Sequence, residues 1–417
     1  MSYESAATKA IERCRKISTF SEDRDGTRRT FLSPPMRECH REITGWLRAV
    51  GVEANIDAAG NLRGVYPAAD SDAPRLLIAS HLDTVPNAGA FDGILGVVLG
   101  VALLERLDGK QLPFAIEVVG FSEEEGVRFG APFIGSRALV GRLDEELLDR
   151  KDANGICVRQ AIEDFGLNPR EISKAAVRSD ALGYLEFHIE QGPVLDGMNR
   201  ALGVVEAIAG QSRLEFTFVG SANHAGTTPM NLRRDAMAGA AEWITAVERE
   251  ANRVDGLVAT VGRVAAKPGA VNVIVGEARA TLDVRHGSDA TLAGAVDTLI
   301  RSANEIAAKR GLAVRQAVLF NQPSVAMDPK LMRAAEDAIR RAGCEPHRMV
   351  SGAGHDAMIL AEKVPAALIF LRTPGGISHD PAETVRAEDV AKAIETGSHL
   401  LAQLAASPAI QRRTNLA

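Results

Sequence analysis

Aromatic residues are scarce in this 417-residue chain: 13 Phe, 3 Tyr and 2 Trp make up 4% of it. None is interleaved with basic residues in the way that stacks nucleobases. The 48 Lys and Arg are outnumbered by 54 Asp and Glu, which leaves a net charge of −6 rather than a basic footprint. No nucleic-acid partner is therefore expected. Cysteine is equally sparse. Cys14, Cys39, Cys157 and Cys344 form no CxxC or zinc-ribbon spacing, and a chain this long needs no disulfide staples, so all four read as structural thiols. Long apolar runs are also missing. The most apolar stretch, 94–104, falls short of the roughly 18 residues a membrane helix requires, so no membrane partner is expected. The first residues carry Glu12, Arg13, Arg15 and Lys16 and no apolar secretory segment, which favours a cytoplasmic location.

With 46% hydrophobic and 24% charged residues, the composition is that of an ordinary globular protein. The length exceeds what one hydrophobic core usually serves and points to two or three domains. Neither an internal repeat nor a low-complexity block is visible. Helices are expected over 5–20 and, introduced by Ser33-Pro34-Pro35 and stopped by Gly51, through 34–50. The chain then alternates: strand 75–80, apolar helix 93–107, strands 114–121 and 182–190. After a break it resumes with helix 329–342, strand 366–371 and helix 388–404, the signature of an open α/β sheet. Between these halves the pattern reads strand 211–220, helix 235–250, strands 257–264 and 271–284, helix 289–310 and strand 312–320. That order is β-α-β-β-α-β, the split ferredoxin-like arrangement. The expected fold is thus a discontinuous open α/β catalytic domain, 1–210 and 323–417, with an inserted ferredoxin-like domain, 211–322. The insertion's free sheet edge or face suits dimerisation or a lid.

The chemistry-bearing residues gather at the carboxyl ends of the predicted strands, where open α/β sheets place ligands. His81 and Asp83 follow strand 75–80, and Asp92-Gly93 opens the apolar helix. Glu123, Glu124 and Glu125 follow strand 114–121, His188 shares one face of its strand with Tyr184, Glu186 and Glu190, and His379 follows a Pro-Gly-Gly turn after strand 366–371. Singly, each fits a solvated turn, a charged surface or a core histidine; it is their joint placement that points to a metal site. Imidazoles and carboxylates without thiolates suit zinc or manganese and do not choose between them. Three histidines and two carboxylates exceed one open tetrahedral site but match two ions that share a carboxylate. Asp83 can accept the second ring N–H of His81 and fix its tautomer. One glutamate of the triplet can bind metal while its neighbour acts as a base of raised pKa.

The sequence resembles the amidase, hydantoinase and carbamoylase branch of the dinuclear metallopeptidase-like M20 hydrolases over nearly its whole length. Ser80-His-Leu-Asp-Thr-Val85 with Ala90-Phe-Asp-Gly93, Phe121-Ser-Glu-Glu-Glu-Gly126 with Arg128-Phe-Gly130, and Glu186-Phe-His-Ile-Glu-Gln-Gly-Pro-Val194 carry that resemblance. It continues through Ala222-Asn-His-Ala-Gly-Thr-Thr-Pro229, Val271-Asn-Val-Ile274, Leu282-Asp-Val-Arg-His286, Ser351-Gly-Ala-Gly-His-Asp-Ala357 and Gly375-Gly-Ile-Ser-His379. Arg29-Thr-Phe-Leu-Ser33, Leu202-Gly-Val-Val205 with Ile208-Ala-Gly-Gln211, and Pro381-Ala-Glu383 look most like the allantoate amidohydrolases, with N-carbamoyl-L-amino-acid hydrolases a close rival. Val275 departs from the proline that related sequences commonly carry there.

The resemblance implies two divalent ions per subunit, His81 and His188 holding one and Glu125 and His379 the other, with Asp92 bridging. It makes Glu124 the general base, with Asp83 behind His81 and Gln191 beside the metals. His224, Asn272, Arg285 and Gly354 would contact substrate, the counterpart of His224 typically reaching the active site of a partner subunit. A guanidinium such as Arg285 can engage both oxygens of a carboxylate, and His224 can donate to a developing oxyanion. The implied activity is hydrolysis of the carbamoyl C–N bond of a ureido acid by a homodimer. For allantoate the products would be ureidoglycine, ammonia and carbon dioxide.

Overall fold

The computed structural model describes residues 1–407. The chain divides into two compact units. The first comprises Met1–Glu206, Met327–Met349 and the described residues 355–407; the second comprises Ala207–Ala326 and Val350–Gly354.

In the first unit, four parallel strands run in the order Ala115–Phe121, Arg75–His81, Gly183–Ile189, Ala366–Leu371. Nearly every residue in them is buried, as expected of strands covered on both faces, and this is why they read as short apolar runs. Antiparallel strands extend the sheet and make it mixed: Leu62–Tyr66 and then Ala54–Ile56 beyond Ala115–Phe121, and Leu202–Ile208 beside Ala366–Leu371. The helix Ile94–Leu107 is buried along 94–104, which explains its lack of a polar face. Short helices at Ile134–Leu139, Glu145–Leu148, Val158–Asp164 and Pro169–Ala175 fill the segment before Gly183. Neither they nor the antiparallel strands were expected from the sequence; Ala54–Ile56 and the helical pieces are too short to show a periodic pattern.

The second unit is a four-stranded antiparallel sheet with two helices, in the chain order β-α-β-β-α-β. Its strands Gly210–Val219, Val258–Lys267, Glu277–His286 and Ala313–Gln322 lie in the order fourth, first, third, second. In Glu277–His286 buried Ala278, Ala280, Leu282 and Val284 alternate with half-exposed residues, so one face meets the core. That core is built around Trp243, whose ring lies 4.3 Å from Phe216 and whose Nε1 donates to the Leu299 carbonyl at 3.0 Å. Asp235 starts the helix Ala236–Arg253 by accepting from the amides of Met237 and Ala238.

Two features differ from the sequence reading. The strand expected over 271–284 begins only at Glu277, because the amides of Ala225 and Gly220 donate to Asn272 and Gly276, and that of Ile274 donates to Asn223. These backbone groups tie two loops together instead of extending the ladder, and Val271 is fully exposed. The unit is also larger than 211–322. It takes in Val350–Gly354, whose Ser351 carbonyl accepts from the Ala209 amide at 2.8 Å. Cys14, Cys39, Cys157 and Cys344 are all free, and no helix among the described residues is long and apolar enough to cross a membrane.

Candidate metal centre

His81 is the last residue of its strand and His188 the penultimate one of the neighbouring strand, which brings the two rings face to face. The Nδ1 of His81 donates to the Asp83 carbonyl at 3.0 Å, and the Nδ1 of His188 to the Ile189 carbonyl at 2.8 Å. Both Nε2 atoms are thereby left as lone pairs, 3.3 Å apart. Asp92 Oδ1 lies 3.2 Å from Nε2 of His188 and 3.8 Å from that of His81. Its other oxygen, Oδ2, is 3.1 Å from His379 Nε2, which lies 3.6 Å from Glu125 Oε1. His81, Asp92 and His188 thus form one set of donor atoms within 4.8 Å of each other, and Asp92, Glu125 and His379 a second. Asp92 belongs to both.

This arrangement fits two cations. Facing imidazole lone pairs beside a carboxylate repel unless a positive charge lies between them, and the oxygen–nitrogen donor set suits zinc or manganese. Without metal, a proton must take that place. Burial drives His188 down to about 4. Burial also opposes a charge on His81, but the hydrogen bond with Asp83 and the charges of Glu124, Asp83 and Asp92 outweigh it and hold His81 well above its ordinary value. For Asp92, burial is outweighed by the hydrogen bond from His379 and the three histidines, so its carboxyl falls below the usual range. Close packing fixes the geometry: Gly93 has φ +67°, and a Cβ there would lie 2.4 Å from three atoms of the His81 ring.

The three consecutive glutamates differ in their surroundings. Glu123 turns inward and accepts from the amides of Phe31 and Arg128. Glu124 and Glu125 share a set of donor atoms with His81. Burial raises Glu124 well above the carboxylate range; burial and the charge of Asp92 raise Glu125 to about 7. The Asp83 carboxylate faces the His81 ring, Oδ1 lying 3.5 Å from Nδ1, but the nearer acceptor of that ring N–H is the Asp83 backbone carbonyl, at 3.0 Å. The two carboxylate oxygens accept from the amides of Glu124, at 2.9 Å, and Glu125, at 3.0 Å. Gln191 stands at φ +59° with its Nε2 3.2 Å from both Asp92 oxygens and 3.2 Å from His379 Nε2.

The other candidate residues belong to the second unit. His224 and Asn272 sit on adjoining loops: His224 bridges to Val273, and the Ala225 amide donates to the Asn272 carbonyl. The His224 Nδ1 accepts from the amides of Gly226 and Thr227, which leaves the ring proton on Nε2, the exposed side. Arg285 gives its Nε to Asp283 at 2.8 Å and one Nη to the Gly352 carbonyl at 2.6 Å, two residues before Gly354.

Three supporting residues had no role assigned from sequence. Glu186, fully buried behind His188, accepts from Tyr184 Oη and the Ala357 amide. Arg29, 1% exposed, donates to the carbonyls of Leu82, Ile17 and Phe20 and so holds the chain between His81 and Asp83. Glu383 accepts from the amides of Phe91 and Asp92. The only signal for Arg29 and Glu383 was membership of motifs with no stated function.

Comparison with known proteins agrees with this geometry. Residues 77–403 match the model of Peptidase family M20/M25/M40. An N-carbamoyl-L-amino acid amidohydrolase of Geobacillus stearothermophilus is 38% identical over 383 residues, covering 91% of this chain and 94% of the relative. An allantoate deiminase of Arabidopsis thaliana is 35% identical over 418 residues, covering 92% and 80%. The crystal structure of an amidase of the hydantoinase/carbamoylase family from Burkholderia multivorans superposes with a TM-score of 0.91 at 31% identity, covering 96% of this chain and 98% of that one. The chain therefore belongs to the M20 peptidase-like family, in its hydantoinase/carbamoylase branch, and is a metal-dependent hydrolase with a dinuclear metal-binding site.

Proposed function

We propose that this enzyme hydrolyses the carbamoyl C–N bond of a ureido acid, and that its substrate is an N-carbamoyl-L-amino acid. One observation carries the reaction class: a single carboxylate, Asp92, is shared by two metal-binding triads, with the raised Glu124 beside them. The substrate choice rests on the relatives. Motifs of the allantoate subgroup favoured allantoate from sequence. The identities lean the other way, 38% to the Geobacillus carbamoyl-amino-acid enzyme against 35% to the Arabidopsis allantoate deiminase.

In this reading His81 and His188 would hold one ion and Glu125 and His379 the other, with Asp92 within reach of both. When bound, the ions supply Lewis-acid polarisation and ease the ionisation of water. Glu124 removes a proton from the attacking water and returns it to the departing amine. Arg285 binds the substrate carboxylate through the Nη hydrogens that Asp283 and the Gly352 carbonyl leave over. His224, with its proton fixed on Nε2, donates to the oxyanion. One water is consumed, and the amino acid, ammonia and carbon dioxide result. The first unit serves as the catalytic domain, and the second as the dimerisation or lid domain that brings His224 to a partner's site.

The test is ammonia release from N-carbamoyl-L-amino acids, their D-enantiomers and allantoate, after reconstitution with zinc or with manganese. Turnover led by an N-carbamoyl-L-amino acid is the expected result. Turnover led by allantoate would favour the second reading, which the subgroup motifs support, and binding without turnover of any ureido acid would sink both. Sedimentation of the whole chain tests the dimer.

A further inference from the structure

Glu383 lies far along the chain from the residues it touches, yet one carboxylate group meets both halves of the metal centre. Its Oε1 accepts from the Phe91 amide at 2.8 Å and the Asp92 amide at 3.0 Å. Its Oε2 accepts from Ser378 Oγ at 3.1 Å, and Ser378 is the residue before His379. Asp92 takes part in both triads, while His379 closes the second. His379 holds its place at φ +57°, a backbone conformation that a side chain other than glycine keeps only when its surroundings fix it. Glu383 itself is 5% exposed and locked in a turn by its own amide, which donates to the Asp380 carbonyl at 2.9 Å. The opposite wall is cut to fit. A Cβ on Gly89 would lie 2.4 Å from Glu383 Cβ and 2.6 Å from Oε1, so only glycine admits the carboxylate beneath the turn that carries Asp92.

We infer that Glu383 is a positioning residue of the dinuclear centre: it fixes the bridging Asp92 relative to His379 and thereby sets the geometry in which the second ion binds. A buried acid serving only the fold would need some partners, but not partners from both metal-binding segments at once. Hydrogen bonds from two backbone amides and a hydroxyl to one carboxylate are of the stronger, charge-assisted kind. Outer partners of metal ligands typically govern affinity by about 10–100-fold.

The inference rests on the assignment of Asp92 and His379 as ligands. Its test is calorimetric titration of chelator-stripped protein with manganese or zinc chloride, alongside melting of the metal-free form. The parent should bind two ions. Glu383→Ala and Gly89→Ala should each weaken the second ion by about 10–100-fold. The double variant should be no worse than the weaker single one, since both unseat the same carboxylate. Glu383→Gln, whose Oε1 can still accept from both amides, should recover most of the affinity, a rescue that loss of packing alone would not give. If Glu383→Ala melts lower without metal yet binds both ions as tightly as the parent, the residue is structural and the inference is overturned. A parent that binds no metal would instead overturn the ligand assignment itself.

Discussion

Replacing Asp83 by asparagine removes one charge and one acceptor while leaving the shape of the side chain almost unchanged. The two carboxylate oxygens accept from consecutive amides, those of Glu124 and Glu125, at 2.9 and 3.0 Å, and Asp83 is 1% exposed. Asparagine can offer one carbonyl oxygen, so its NH2 group must face the other amide, donor against donor. The lost hydrogen bond to a charged acceptor is worth about 1.5–3 kcal/mol, and an amide left unpaired in a buried site costs about 1–3 kcal/mol more. The local turn can relieve part of this only by moving, and a base displaced by about 1 Å loses roughly 100-fold in rate. Asp83→Asn should therefore lower kcat by about 100-fold with little change in KM, since Asp83 touches no substrate in this scheme. His81 should remain seated, because its Nδ1 donates to a backbone carbonyl that the substitution leaves in place. Steady-state kinetics with metal analysis of the same preparation decides the matter. A variant with full metal content and a kcat close to the parent's would show that Asp83 does not hold Glu124 in place. Selective loss of the ion held by His81 would instead show that the Asp83 carboxylate, 3.5 Å from Nδ1, acts mainly through the imidazole.

Further outcomes follow from the same geometry. Glu124→Gln should keep both ions by elemental analysis and lose about 100- to 10,000-fold in kcat. Gly93→Ala would put a methyl group against the His81 ring at a backbone angle unfavourable to alanine, so titration should show the ion shared with His188 weakened. The metal-free protein should lose stability from its buried carboxyls as pH rises from about 4.3 to about 7. The last part of that loss shows above about pH 6.5, where the opposing effect of buried His188 and His40 has ended. Burial raises Glu125, Glu186 and Glu383 each to about 7, with the charge of Asp92 adding to the effect at Glu125 and Glu383. The folded state then holds protons that the unfolded chain releases near 4.3; the stabilisation is complete below that value and lost as pH passes through about 7. Thermal melts of chelator-treated protein should show this decline, and added metal should raise the melting temperature more at pH 8 than at pH 6.5; a flat profile would contradict it.

What the sequence revealed and what it hid divide along physical lines. His81, Glu125 and His188 stood out because buried parallel strands are apolar runs and the polar residues at their ends are conspicuous. Asp92 stood out because it directly precedes the opening of the apolar helix Ile94–Leu107. Helix boundaries were legible at caps such as Asp235 and at Pro329. The strand beginning at Glu277 was overextended because apolar residues at 271–275 show the same alternation whether their amides meet a ladder or a neighbouring loop. Only half of the Asp83 environment was legible: its nearness in sequence pointed to His81, which its carboxylate does face, while the amides of Glu124 and Glu125 come from the adjacent strand end. Glu383 and Arg29 stayed silent because their partners lie far along the chain or are backbone carbonyls, which carry no side-chain signature.

The dinuclear reading turns on Asp92 standing between two cations. Anomalous diffraction from crystals of the manganese- or zinc-loaded protein tests it most directly. Two peaks should flank the Asp92 carboxylate at a separation of about 3.5–4 Å, one against His81 and His188 and the other against Glu125 and His379. A single peak, or none within reach of Asp92, would contradict the assignment.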